Sequence, residues 1–320
     1  MFQPILIAIV RLIGLMVAGY IVFQPRALQH YVLPGLLSLT VNALLPAYFI
    51  VEFSSGWESA VAVGWRWMPV FFVACVVMMG AQAVLGTYLV RRVRAFASPH
   101  PHAWVALFAV QNVGYIPLPI LAAVAPEEIN IYMFFFVLAF VLIFWTLVVS
   151  LVSADHGRFV FKPNMPLAGI VAGVVIAVFG LYDGFPGAVQ IVLEWMAEPA
   201  LDLILFVLGG ILATIPREDL RYRREFGSLI WLRMLAYPAA MLVVLALIPF
   251  EGFSENMAYG IRLGLVLEAA VPPATNLMVA VKKFGTEAQV HYVASGMLVT
   301  YIASFITMPA FLLLSHVVFS

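Results

Sequence analysis

Ten long apolar runs follow one another along this chain and fix the solvent it can live in. They cover residues 5–23, 32–53, 67–90, 103–124, 130–153, 166–182, 199–215, 228–250, 257–281 and 288–319. A bilayer core about 30 Å thick is crossed by roughly 20 residues of helix, and backbone polar groups in lipid must bond internally. Each run therefore predicts one transmembrane helix, and the fold expected is all-α and integral to a membrane. Composition points the same way, with 64% hydrophobic residues, 10% charged residues and a mean hydropathy of +1.06. The segment 185–197 is too short to span alone and carries Glu194 and Trp195, so it is expected as an interfacial helix or loop. Cys75 is the single cysteine and can form no intrachain disulfide. Residues 1–4 lack a basic region and no small-residue cleavage site follows the first run, so that run is expected to be retained.

Lys+Arg and Asp+Glu both number 16, and the zero net charge gives no sign of nucleic-acid binding. Position along the chain is more informative. With ten spans, one face collects Arg26, Arg91, Arg92, Arg94, Arg158, Lys162, Arg217, Arg221, Arg223, Arg224, Lys282 and Lys283. The other holds Arg66 with Glu58, Glu127, Glu128, Asp183, Glu251 and Glu255, while Arg11, Arg233 and Arg262 fall within helices. By the positive-inside rule the basic face is cytoplasmic and both termini lie outside a cell membrane. Trp57, Trp65 and Trp67 near one boundary, and Trp104 near the other, read as interfacial anchors.

Five spans per half is an odd number, so two halves sharing a fold must be inserted in opposite senses, 1–153 and 163–320. The fourth run contains Gln111-Asn112-Val113-Gly114-Tyr115-Ile116-Pro117-Leu118-Pro119, and the ninth contains Glu268-Ala269-Ala270-Val271-Pro272-Pro273-Ala274-Thr275-Asn276. Proline lacks a backbone donor and clashes with the preceding turn, so two prolines in each run predict an interrupted helix. Lipid cannot satisfy the freed backbone groups. A matched pair of interrupted helices points to a transporter's binding site, with packing kinks as the alternative.

Three stretches carry a family resemblance: Asn42-Ala43-Leu44-Leu45-Pro46-Ala47, the Asn-x-Gly-x-x-x-Leu-Pro core of 112–119, and Ala269-Ala270-Val271 with Pro273 and Asn276. Their order and positions resemble the auxin efflux carrier family over essentially the whole chain. The resemblance implies ten helices in an inverted five-plus-five repeat, with spans four and nine broken and crossing at mid-membrane. It implies a scaffold domain (about 1–60 and 163–215), through which a homodimer is expected, and a moving domain (about 66–153 and 227–320). Family substrates include auxin and, in bacteria, dicarboxylates such as malonate and malate, carried by alternating access of elevator type. The short connection between spans five and six is similar to bacterial members.

Two broken helices create two new N-termini, near Leu118 and Ala274, whose free N–H groups favour an anion. A substrate carboxylate is expected there, contacted by Asn112, Tyr115, Thr275 and Asn276, with Asn42 reaching from the scaffold and Gly114, Pro117, Pro272 and Pro273 shaping the breaks. Interhelical hydrogen bonding is the plainer role for any one Asn. Glu268 near mid-membrane is a functional candidate by its cost. It can contribute to a sodium site with Gln111, Asn112 and Gln82, as the related bile-acid symporters imply, carry a proton, or pair with Arg262 or Arg11. Gly169-x-x-x-Gly173 and Gly209-Gly210 predict close helix packing, within the scaffold or across a dimer. His100 and His102 lack a third ligand, so no metal is expected. A channel needs a continuous polar lining, an enzyme needs clustered catalytic groups near the interface, and a sensor needs an appended domain. These features are not evident in the sequence, so a secondary carrier of a small organic anion is expected, with an anion channel or a substrate-sensing membrane protein of the same fold as the alternative.

Overall fold

The computed structural model describes residues 2–152, 164–215 and 223–319. Arg158, Lys162, Arg217 and Arg221, four of the basic residues used for orientation, lie outside these. The described residues fold as helices joined by short turns, with one isolated backbone bridge, between Gln111 and Pro273. Among the described residues, six helical stretches are long and apolar enough to cross a membrane: α1 (Gln3–Val22), α2 (Arg26–Gly64), α3 (Trp67–Arg92), α8 (Gly187–Ala213), α9 (Glu225–Leu247) and α12 (Glu287–Phe319). Between them lie α4 (Pro101–Ala109), α5 (Pro117–Val124), α6 (Glu127–Val152) and α7 (Met165–Val178). The last pair are α10 (Glu255–Ala270) and α11 (Asn276–Phe284).

Each of the ten apolar runs is helical, and the prolines decide which are continuous. In α2 and α9 a proline is absorbed without a break. Pro46 cannot donate to the Asn42 carbonyl, and Pro238 cannot donate to that of Met234. Both carbonyls sit in π-turns, Thr40–Leu44 and Trp231–Ala236, which widen the helix by one residue per turn. The expected fourth and ninth runs are broken instead, over 110–116 between α4 and α5 and over 271–275 between α10 and α11.

The segment 185–197 is not a separate interfacial piece. Gly187–Ala197 is helical and continues through Glu198 and Pro199, both in the right-handed helical region, into Ala200–Ala213. Pro199 lies at the N-terminal edge of the second part, where a missing donor costs nothing, so the two pieces make one 27-residue apolar stretch.

Glycines set the closest helix approaches. A Cβ at Gly209 would strike the Met16 carbonyl and one at Gly19 that of Phe206, so α1 and α8 touch backbone to backbone. A Cβ at Gly169 would lie 2.9 Å from the Pro46 Cβ, and one at Gly173 2.8 Å from Phe53. Both glycine motifs are thus used inside the chain, α1 on α8 and α2 on α7, as close packing without a hydrophobic driving force requires. The outer surface carries large apolar side chains such as Val84, Trp195, Leu247 and Ile306, the surface a lipid solvent favours. Trp65 is exposed, as an anchor should be, but Trp104 is wholly buried between Phe96 and Phe108. Packing of α4 under α3, where Gly86 admits the Phe108 ring, takes Trp104 out of the interface.

Candidate functional site: the paired helix breaks

The two interruptions lie against each other. The Asn112 amide donates to the Pro272 carbonyl at 3.0 Å, and the Ala274 amide donates to the Val110 carbonyl at 3.1 Å. These bonds form the antiparallel bridge between Gln111 and Pro273. Each break thus supplies partners for backbone groups that the other's interruption leaves free, which is how irregular backbone survives away from water. Two further side chains complete the pairing. The Tyr301 hydroxyl of α12 donates to the Pro273 carbonyl at 3.0 Å and accepts from Asn112 Nδ2 at 2.9 Å. Arg233 of α9 donates through Nη1 to the Phe108 carbonyl at 2.8 Å and through Nη2 to the Val271 carbonyl at 2.9 Å.

Sequence reasoning placed Arg233 merely within a helix and did not single out Tyr301. An arginine in an otherwise apolar run was a usable signal for the first. A tyrosine hydroxyl on a helix apolar all round gave none for the second.

The N-termini of α5 and α11 are real, but the amides named for them are spent. The Leu118 amide donates to the Gly114 carbonyl at 3.3 Å, Pro117 and Pro119 have no N–H, and the Ala274 amide serves the bridge. Among the described residues, Gln111, Gly114, Tyr115, Ile116, Thr275 and Asn276 of the two breaks have amides without a backbone acceptor, and Tyr115, Thr275 and Asn276 are the three that meet in one larger space. All three residues line a cavity of about 560 Å³ that also takes in Asn42, Ser38 and Thr214. The cavity is also lined by Lys282 and His291. A smaller recess of about 40 Å³ continues inward to Asn112 and Gly114, sharing Tyr115, Thr275 and Asn276 with the larger one. Tyr115 is within hydrogen-bonding reach of the Asn276 side chain, and Asn42 Nδ2 donates to Ser38 Oγ at 3.0 Å.

The structure therefore gathers Asn42, Asn112, Gly114, Tyr115, Thr275 and Asn276 around one space. Pro272 and Pro273 turn their carbonyls to the crossing partner and to Tyr301, and Pro117 starts α5. A separate cavity of about 300 Å³ lies against α5 at Pro119, with Glu52, Glu194, Glu198 and the Arg11–Asp202 ion pair around it.

Gln82, Gln111 and Glu268 stand apart from these cavities. All are wholly buried, and the structure gives no hydrogen-bond partner to any of their side-chain oxygens. Neither basic residue suggested for Glu268 reaches it. Arg11 pairs with Asp202, and Arg262 donates to the Ile248 carbonyl at 3.1 Å and lies over the Phe250 ring. The charge within electrostatic reach of Glu268 is Arg233.

The sodium ion implied by the bile-acid symporters would find unpartnered oxygens on Gln82, Gln111 and Glu268 but would share this region with a cation already in place. Carbonyls at the C-terminal ends of α4 and α10, which such an ion would ligate, already accept from a permanently charged guanidinium.

The described residues, helical with several membrane-length stretches and two mutually bonded helix breaks beside a cavity, define a multi-pass membrane protein. A family model described as Membrane transport protein matches residues 4–170 and 158–312. The chain belongs to this family, the one its motifs resemble. No curated protein matches it.

Proposed function

We propose that the chain is a secondary transporter of a small organic anion, of carboxylate or dicarboxylate type, working by alternating access. The observation that carries this reading is the 560 Å³ cavity lined by Tyr115, Thr275 and Asn276, whose backbone amides have no backbone acceptor. Two short helices begin at this point, and their partial positive charges favour a carboxylate. The Asn112 and Asn276 side-chain amides and the Thr275 hydroxyl supply further donors, and Lys282 draws anions to the mouth.

In this reading the ten helical runs are ten crossings in two inverted repeats, and α4–α5 and α10–α11 cross at mid-membrane. The scaffold comprises α1, α2, α7 and α8, locked by the glycine contacts. The remaining helices carry the crossing and move as an elevator. With the basic face cytoplasmic, the cavity is open inward. Asn42 belongs to the scaffold side of the cavity and the crossing residues to the moving side, so a ligand bridging them is released when the two slide apart. Glu268, buried without a partner, is the candidate proton carrier.

Reconstitution into proteoliposomes tests this. Counterflow of a panel of small mono- and dicarboxylates should be saturable and substrate-selective. Asn112→Ala and Asn276→Ala should each reduce it at least tenfold, equivalent to about 1.4 kcal/mol. Unchanged counterflow in both variants would refute the site.

A further inference from the structure

Arg233 holds the position where a coupling cation would be expected. Its two guanidinium arms each reach the C-terminal end of a different broken helix, Phe108 in the last turn of α4 and Val271 at the cap of α10. Each helix end carries roughly half a negative charge, so the pair presents about one unit, which one guanidinium matches. The fork geometry lets a single side chain bond both carbonyls at once. Arg233 is wholly buried, and a buried cation survives only where such partners meet it. Its placement in the Trp231–Ala236 π-turn, ahead of Pro238, turns it toward the crossing.

We infer that Arg233 is the fixed cation of the crossing and that this transporter works without sodium. The inference rests on the carrier reading above. A mobile cation in a symporter binds the C-terminal carbonyls of the broken helices and the nearby polar side chains, and its departure lets the empty carrier behave differently. Here those carbonyls are permanently occupied, and a sodium ion beside Gln82, Gln111 and Glu268 would face a like charge. Glu268 is the carboxylate in electrostatic reach of Arg233. Cys75, Tyr237 and Tyr301 are the remaining titratable side chains in reach of either, and these three supply no further negative charge to offset a second cation beside the guanidinium. The clamp also spans both repeats, so it persists whichever way the cavity opens.

Thermal unfolding of the purified protein in sodium chloride and in potassium chloride of equal concentration tests this without a known substrate. The wild type should melt at the same temperature in both. Arg233→Gln removes the charge and releases both carbonyls beside three unpartnered buried side chains. Its melting temperature should fall in potassium and recover as sodium is raised. Arg233→Lys keeps the charge and should remain indifferent to sodium.

Sodium stabilisation of the wild type would overturn the inference, as would a folded Arg233→Gln that ignores sodium. If Arg233→Gln cannot be purified in either salt, the lysine variant decides, and its stabilisation by sodium counts against the inference. Organic-acid flux at equal rates in sodium and potassium is the matching transport result. Absence of any flux would count against the carrier reading and leave the melting comparison standing.

Discussion

Tyr301→Phe isolates the bonds that hold the crossing together. The side chain is wholly buried, and phenylalanine fills nearly the same volume, so the cavity penalty of a core truncation is small. What disappears is one hydroxyl, which donates to the Pro273 carbonyl and accepts from Asn112 Nδ2. Interhelical hydrogen bonds in membrane proteins contribute only about 0.6 kcal/mol on average, because alternative partners are found once they break. The Pro273 carbonyl has no such alternative within a helix, since it lies in the 271–275 break. A buried acceptor left unsatisfied costs about 1–3 kcal/mol. The larger figure applies here, and the variant should lose about 1–3 kcal/mol of stability against thermal or detergent unfolding. Asn112 also lines the inner recess. Released from Tyr301, it no longer holds its amide in place, so substrate affinity should fall about tenfold for each 1.4 kcal/mol of misplacement. A Tyr301→Phe protein with unaltered unfolding midpoint and unaltered counterflow would refute the view that this hydroxyl pins the crossing.

Gly209→Leu places side-chain atoms on the Met16 carbonyl of α1. Because the obstacle is backbone, the cost should exceed the about 1–3 kcal/mol of ordinary overpacking, seen as loss of monodisperse protein on size exclusion; a well-behaved variant contradicts the close packing. Lys282→Gln removes one charge from the cavity mouth. An exposed charge of this kind is worth about 0.2–1 kcal/mol, so the half-saturating anion concentration should rise by up to about fivefold at low salt and the effect should fade at high salt. Equal half-saturation at low salt argues against a steering role. Glu268→Gln keeps shape and burial but cannot release a proton, so uptake driven by a pH gradient should be lost while substrate exchange at equal pH survives. Retained gradient-driven uptake rules out the proton role.

The helix breaks were legible because their cause is local. Pro117 with Pro119, and Pro272 with Pro273, remove donors wherever the chain runs, so interruption followed from the residues alone. Pro46 and Pro238 show the limit of that logic. They remove donors too, yet their helices absorb the loss as π-turns because a single proline leaves one carbonyl to accommodate. Two prolines within three residues, at the mouth of a partner break, leave too many. The extension of α8 through Pro199 was missed for the related reason that proline at the start of a helical segment costs nothing, which length counting could not detect.

The partners of Arg233, Tyr301 and Trp104 were not legible, and the physical reason is shared. In helices apolar on every side, periodicity no longer separates a face that meets lipid from one that meets protein, so a polar or aromatic residue carries no mark of its partner. Depth and composition located the crossing. Which side chains pin it depends on which carbonyls the breaks expose and which neighbouring helix turns toward them, and that is set only when α9 and α12 pack across the gap. A buried arginine therefore belongs beside the prolines in reading such chains. Where an interrupted helix leaves C-terminal carbonyls in a dry interior, some cation must meet them, and an arginine in an apolar run is the first candidate the sequence offers.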